Sequence, residues 1–252
     1  MNEQPTPAEQ VKPMSFMEKL TNVFAAPGEL YENVRLTPRT NSNWFVPWVI
    51  FAIVALIMGQ LLLSNPSLTD QLGAVIKKQI DKQVQEGKVP PERAEQAYEQ
   101  FAKPGSLMFT ITQVAGAVLG SLIVLFGLGL IYWLLGKTVM KASAPYMKVV
   151  EVVGLTFFIG VLEQIVTTVL MFVFDSIFAS PSLALFVSQF DLENKFHLAL
   201  SKFNVFSFWS MAVVSIGLSK LFQRDFAKVF VLVLVLWVLW SVFSIVTGFR
   251  LG

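Results

Sequence analysis

The chain has 252 residues, of which 54% are hydrophobic and only 14% charged, with a formal net charge of +2 and a mean hydropathy of +0.62. A soluble domain carries nearly twice that share of charge, so composition points to a membrane protein. The absence of cysteine excludes disulfides and thiolate metal sites, and the single histidine, His197, cannot build a histidine-based zinc site. Basic residues lie between apolar runs rather than in one patch, which speaks against a nucleic-acid surface.

Residues 1–13, MNEQPTPAEQVKP, are polar and punctuated by proline, the pattern of a disordered tail. They lack the basic-then-apolar pattern of a signal peptide, so the first apolar run, beginning at Trp44, is expected to direct insertion and to remain in the mature protein. Residues 14–43 read as amphipathic helices. Ser15 and Glu18 have capping-box spacing, and Phe16, Met17, Leu20, Val23 and Phe24 make one apolar face that stops at Pro27-Gly28. A second short helix follows, with Leu30, Tyr31 and Val34 on one side. Two placements are open for this pair: lying on the headgroups as an interfacial or docking element, or packing beneath the bundle.

Residues 44–248 are expected to form the membrane domain. The first span, 44–63, opens with Trp44 and Trp48 at an interfacial belt and carries Pro47 in its first turn, where a missing N–H does no harm. Residues 64–105 are too polar to cross a bilayer and too regularly patterned for a random linker. Apolar stripes on either side of Glu86-Gly87-Lys88 predict an extramembrane helical hairpin. The second span, 108–135, places Gln113, Gly116, Gly120 and Gly127 on one face. Its Gly116-Ala-Val-Leu-Gly120 segment is a GxxxG motif, predicting a close helix–helix contact there.

The third span, about 149–175, carries an acid near its middle. At about 100° per residue, Thr156, Gly160, Glu163 and Thr167 share a face among Leu, Ile, Val, Met and Phe. Such a polar, small-residue stripe is expected to face protein rather than lipid. No span carries a Lys, Arg or His at its middle, so Glu163 is expected to be buried, neutral, and hydrogen-bonded by Gln113 or by serines of the fourth span. The competing reading makes it a proton- or cation-linked site. Lys148 and Glu151, at the start of this span, read as a solvated interfacial pair. A second polar connection, 179–203, precedes the serine-bearing fourth span, 205–222. A short turn, Gln223-Arg224-Asp225, leads to the fifth, 229–248. The expected fold is therefore all-α: a polytopic bundle of five transmembrane helices with its termini on opposite sides.

With the amino end inside, ten Lys and Arg residues fall on that side and nine on the other. Leaving out the charge-balanced hairpin, the count is ten against three, which favours an inside amino terminus. No serine–base pair or phosphate-binding glycine loop is visible, and nothing in the pattern calls for a cofactor or metal. The expected partners are the bilayer and another membrane or membrane-associated protein, a second copy of the chain included. The expected role is a non-catalytic membrane adaptor or organiser, the alternative a small transporter or channel using Glu163.

A segment ending in a Pro-Gly turn, PGELYENVRL, precedes the first span, and FNVFSFWSMAVVSIGLSKLF leads through a short charged turn into VFVLVLVLWVLWS. In these features the chain resembles the Yip (Ypt/Rab-interacting protein) membrane family, in its prokaryotic branch, over roughly residues 25–248. The resemblance implies a five-span integral membrane protein without an enzymatic role, here in a bacterial cytoplasmic membrane. Eukaryotic members of that family act in the early secretory pathway and associate with Rab-type GTPases and with one another. This chain has Ala26-Pro27-Gly28-Glu29-Leu30 where those members carry Asp-Leu-x-Gly-Pro, and its third span lacks their Gly-Tyr and proline pattern. No binding residue is carried over.

Overall fold

A computed structural model describes residues 11–247, apart from the side chains at 100 and 101. Most of the expected tail (1–10) and the last residue of the expected fifth span (248) lie outside the described residues. The described chain is helical, and five of its helical segments are long and apolar enough to cross a membrane.

Helix α1 (Phe16–Ala25) starts at the expected capping box: Glu18 N donates to Ser15 Oγ at 3.3 Å, and Ser15 N to Glu18 Oε2 at 2.6 Å. These bonds satisfy backbone donors that the first turn otherwise leaves unpaired. Helix α2 (Pro27–Leu36) follows, with Pro27 in its first turn. Both helices belong to the bundle. Val23, Leu30, Tyr31 and Val34 are fully buried, and the ring of Phe16 meets that of Phe158 edge-on. Burying such side chains gives about 1.5–3 kcal/mol apiece, which decides for packing beneath the bundle over lying free on headgroups.

The first span, α3 (Ser42–Leu63), runs parallel to the third, α8 (Tyr146–Phe174), in the tightest pairing of the bundle. Two glycines of α8 allow the approach. A Cβ on Gly154 would overlap the backbone of Trp44, and one on Gly160 would lie 2.9 Å from the Phe51 ring. The second span has two α-helical parts, α6 (Leu107–Ala115) and α7 (Ser121–Thr138), joined by a single π-helical turn, Gly116–Gly120. The fourth, α10 (Val205–Phe222), and the fifth, α11 (Phe226–Thr247), are joined by a turn at Gln223, whose φ is +52°. Both α7 and α10 pack on α8, so the third span forms the centre of the bundle.

Outside the spans, α4 (Pro66–Gln85) and α5 (Pro91–Ala97) form the expected hairpin, turning at Gly87 with φ +70°, a conformation suited to glycine. The hairpin caps the far end of α8. Ser67 Oγ donates to Asp175 Oδ2 at 2.8 Å, Gln71 Nε2 to Asp175 O at 2.8 Å, and Ile177 N to Gln71 Oε1 at 3.2 Å. These contacts pair backbone groups at the helix end, where the ladder stops. His197, on the short helix α9 (Lys195–Lys202), accepts a bond from Asp191 N at 3.0 Å through Nδ1, a loop-fixing role.

Two glycine substitutions separate these environments. Gly154→Ala must push against the backbone of α3 and is expected to cost about 1–3 kcal/mol. Gly120→Ala, whose Cβ meets nothing within 4 Å, is expected to leave stability unchanged or slightly raised. Thermal unfolding of the detergent-solubilised variants reads both.

Candidate functional site

Residues singled out from the sequence converge on one cavity. The elements α7 and α10 meet at the end of the bundle that carries the N-terminal helices. There the Phe222 ring lies against Gly136, and Arg224 Nε donates to Met140 O at 2.8 Å. Farther along α8 a cleft of about 730 Å³ separates them. Thr156, Gly160 and Glu163 lie on its α8 floor, Gly116 and Gly120 on one wall, and Ser207 and Ser210 on the other.

The glycine face therefore does not make the expected helix contact. A Cβ at Gly116, Gly120 or Gly127 would meet nothing within 4 Å, because Gly116 and Gly120 border a cleft rather than a neighbouring helix. Close approach falls instead on Gly154, Gly160, Gly136 and Gly217. Gln113 does not reach Glu163 either. It lies over Gly59 and accepts a bond from Gln60 Nε2 at 3.2 Å, both on the first span. Nor do the serines of the fourth span take that place. The partner of Glu163 is Asn204, the N-cap of α10, whose Nδ2 donates to Glu163 Oε1 at 2.7 Å while its Oδ1 accepts from Phe206 N at 2.8 Å. Thr167 lies beyond the cleft. The sequence signal for Asn204 was present as a helix start, Asn before an apolar run, but only the fold brings that start to the middle of α8.

Thr156 has a different part. Its hydroxyl donates to Val152 O at 3.0 Å and accepts from Tyr31 Oη at 3.0 Å. The Tyr31 ring is wedged beside Gly217 of α10, tying α2 to both α8 and α10. Burial pushes the Tyr31 phenol well above its ordinary pKa, so it remains a neutral hydrogen-bonding group.

A second cluster lies at the start of α8, where the sequence suggested a solvated pair. Lys148 and Glu151 are buried; Glu151 is 0% exposed. Lys148 Nζ donates to Val34 O at 2.6 Å, Thr37 O at 2.9 Å and Glu151 Oε2 at 3.3 Å, using all three ammonium donors. Glu151 Oε1 accepts from Thr40 N at 3.0 Å, and Oε2 also accepts from Asn43 Nδ2 at 2.8 Å. Lys19 Nζ closes the network on Asn43 Oδ1 at 2.8 Å. Burial holds the Lys19 pKa below its ordinary range, with attraction from Glu151 opposing that shift. The spacing i, i+3 was legible, but burial was not, because the atoms that cover the pair come from residues 34–43.

These features define an integral membrane protein: a five-span helical bundle with N-terminal helices fastened to its third span and a cleft between its second and fourth. The chain belongs to the family of the Yip1 domain, whose model matches residues 21–248. That match takes in the second half of α1, all of α2 and every span, so α2 and the end of α1 are part of the family unit. No curated protein and no solved structure matches the chain significantly.

The charge cluster gives a direct test. Lys148→Met leaves Glu151 buried without its counter-charge and is expected to cost about 3–5 kcal/mol. Replacing both residues, as Lys148→Met with Glu151→Leu, is expected to cost less than the single change, because it strands no charge. A thermal-melt cycle over the single and double variants in detergent measures the difference.

Proposed function

We propose that the protein is a non-catalytic membrane adaptor or organiser, built to hold a helical platform in a fixed position against a five-span anchor. The observation that carries this reading is the buried Lys148–Glu151 network. It spends two desolvated charges on fixing residues 34–43, and hence α1 and α2, to the third span. Surface helices that merely rest on a membrane need no such fastening. The platform leaves Met17 of α1 63% exposed beside the half-exposed Phe16, apolar surface available to another membrane or membrane-associated protein. The amino-terminal side is taken as cytoplasmic on the basic-residue count, and the membrane as a bacterial inner membrane on the resemblance to the prokaryotic branch of the family.

A second reading, a small transporter using Glu163, has one observation in its favour: the carboxyl lines a cleft. Against it, Glu163 is the sole carboxylate lining that cleft, and the cleft narrows towards the Phe222–Gly136 contact.

A photocrosslinking amino acid at Met17, in native membranes, is expected to yield a discrete crosslinked species. That species should be lost in the Lys148→Met background while the spans still insert. Proton flux in proteoliposomes that disappears in Glu163→Gln would place transport first instead. Orientation is read separately. Of single cysteines at Thr6 and Gln83, the one at 83 is expected to react with an impermeant maleimide in intact cells; labelling at 6 with protection at 83 would reverse the topology.

A further inference from the structure

The cleft between the second and fourth spans contains polar groups for which the protein supplies no partner. Tyr132 is 9% exposed and lines the cleft, yet among the described residues nothing hydrogen-bonds its hydroxyl. Its helix position explains the placement: a long side chain on a helix leans back over the preceding turn, which carries the phenol from the closed end of the cleft towards its middle. Ser207 and Ser210, on the opposite wall, are half-buried and likewise make no hydrogen bond among the described residues. These hydroxyls open onto the cleft rather than into packed protein, and a hydroxyl without a partner in an apolar medium costs about 1–3 kcal/mol. In an aqueous cleft, water would meet that need; within a bilayer the solvent at the opening is hydrocarbon.

We infer that this cleft is a binding site for a neutral lipid bearing a free hydroxyl, of the acylglycerol or lipid-alcohol kind. Three features select that chemistry. The volume, about 730 Å³, falls within the range of sites that enclose small ligands. Apart from its few hydroxyls the lining is apolar, from Val124 and Leu128 on one side to Met211 and Val214 on the other, which suits a hydrocarbon chain entering sideways from the bilayer. The lining also carries the Glu163 carboxyl and no Lys, Arg or His, so a phosphate headgroup inside would have no counter-charge, whereas a hydroxyl can donate to Glu163. Asn204 occupies Glu163 Oε1 and leaves Oε2 available for that donor. An ester or hydroxyl oxygen deeper in the cleft accepts from Tyr132. The π-helical turn at Gly116–Gly120 fits the same account, since such turns recur where a helix is reshaped around a site. With no Cβ on either glycine, the wall there is backbone, which leaves the cleft wide at the level of Glu163. The inference is independent of the platform reading and stands or falls separately.

The test uses the full chain in nanodiscs, a monoacylglycerol with a diazirine on its acyl chain, and a phosphatidylglycerol with the same chain. Peptide mass spectrometry is expected to place monoacylglycerol labels on residues 116–132 and 153–163, with competition by unlabelled monoacylglycerol. Gly120→Leu fills open space and is expected to lower that labelling by about tenfold with the melting temperature retained. Tyr132→Phe, which deletes a hydroxyl that no protein group holds, is expected to weaken competition roughly threefold to tenfold. Equal labelling of the cleft by the phosphatidylglycerol probe would show ordinary annular lipid and overturn the assignment. Unchanged competition in Tyr132→Phe would overturn it as well, whether or not Gly120→Leu folds.

Discussion

The ion pair between Lys148 and Glu151 works because each charge sits at the helix end that suits it. The Lys148 ammonium lies on Val34 O and Thr37 O, at the carboxy-terminal end of α2, where carbonyls have lost their helical partners and the dipole is negative. The Glu151 carboxylate lies on Thr40 N and the Asn43 side chain, at the amino-terminal end of α3, where the dipole is positive. A buried pair gains little from mutual attraction alone, since desolvation consumes most of it. Here backbone ends on both sides add to the pair. One face of the first two turns of α8 thereby fixes where α2 stops and where the first span begins, and the tight α3–α8 packing through Gly154 continues from that point.

Much of this architecture is readable in the sequence because lipid enforces simple rules. Runs long and apolar enough to span report themselves, and the capping box at Ser15 and the turn at Gly87 mark local ends that depend on nearby residues. The facing residues of the third span were also legible: Thr156, Gly160 and Glu163 share a surface because helical periodicity requires it, and that surface borders the cleft. What escaped was every property that depends on a distant partner. The pair at 148 and 151 looks solvated until residues 34–43 close over it. Gly116 and Gly120 look like a packing seam until α10 stands away from them. Asn204 looks like an ordinary helix cap until its helix proves to begin beside Glu163. Small residues are ambiguous for the same reason: the absent Cβ admits a backbone at Gly154 and leaves a void at Gly120.

The cleft is held very differently at its two ends, and that difference follows from what bridges its walls. Towards the N-terminal helices, Phe222 fills the space at Gly136, and Tyr31 is lodged between α8 and α10 with its hydroxyl bonded to Thr156. Separating α8 from α10 there would either pull the Tyr31 ring off Gly217 or break its bond to Thr156, and would expose apolar surface from α2, a cost of several kcal/mol. At the level of Glu163, α8 and α10 share the Asn204–Glu163 bond, and the wall opposite consists of glycine backbone in a π-helical turn. A single hydrogen bond nets about 0.5–1.5 kcal/mol, and beside it the buried Phe206 and Met211 of α10 pack into the core. The walls of the cleft are thus bridged by a ring and a tyrosine where the N-terminal helices attach, and by one polar bond with apolar packing at the level of Glu163. Thr156 belongs to both regions, hydrogen-bonded to α2 through Tyr31 while lining the cleft, and it joins the fastened platform to the floor of the cavity through one side chain.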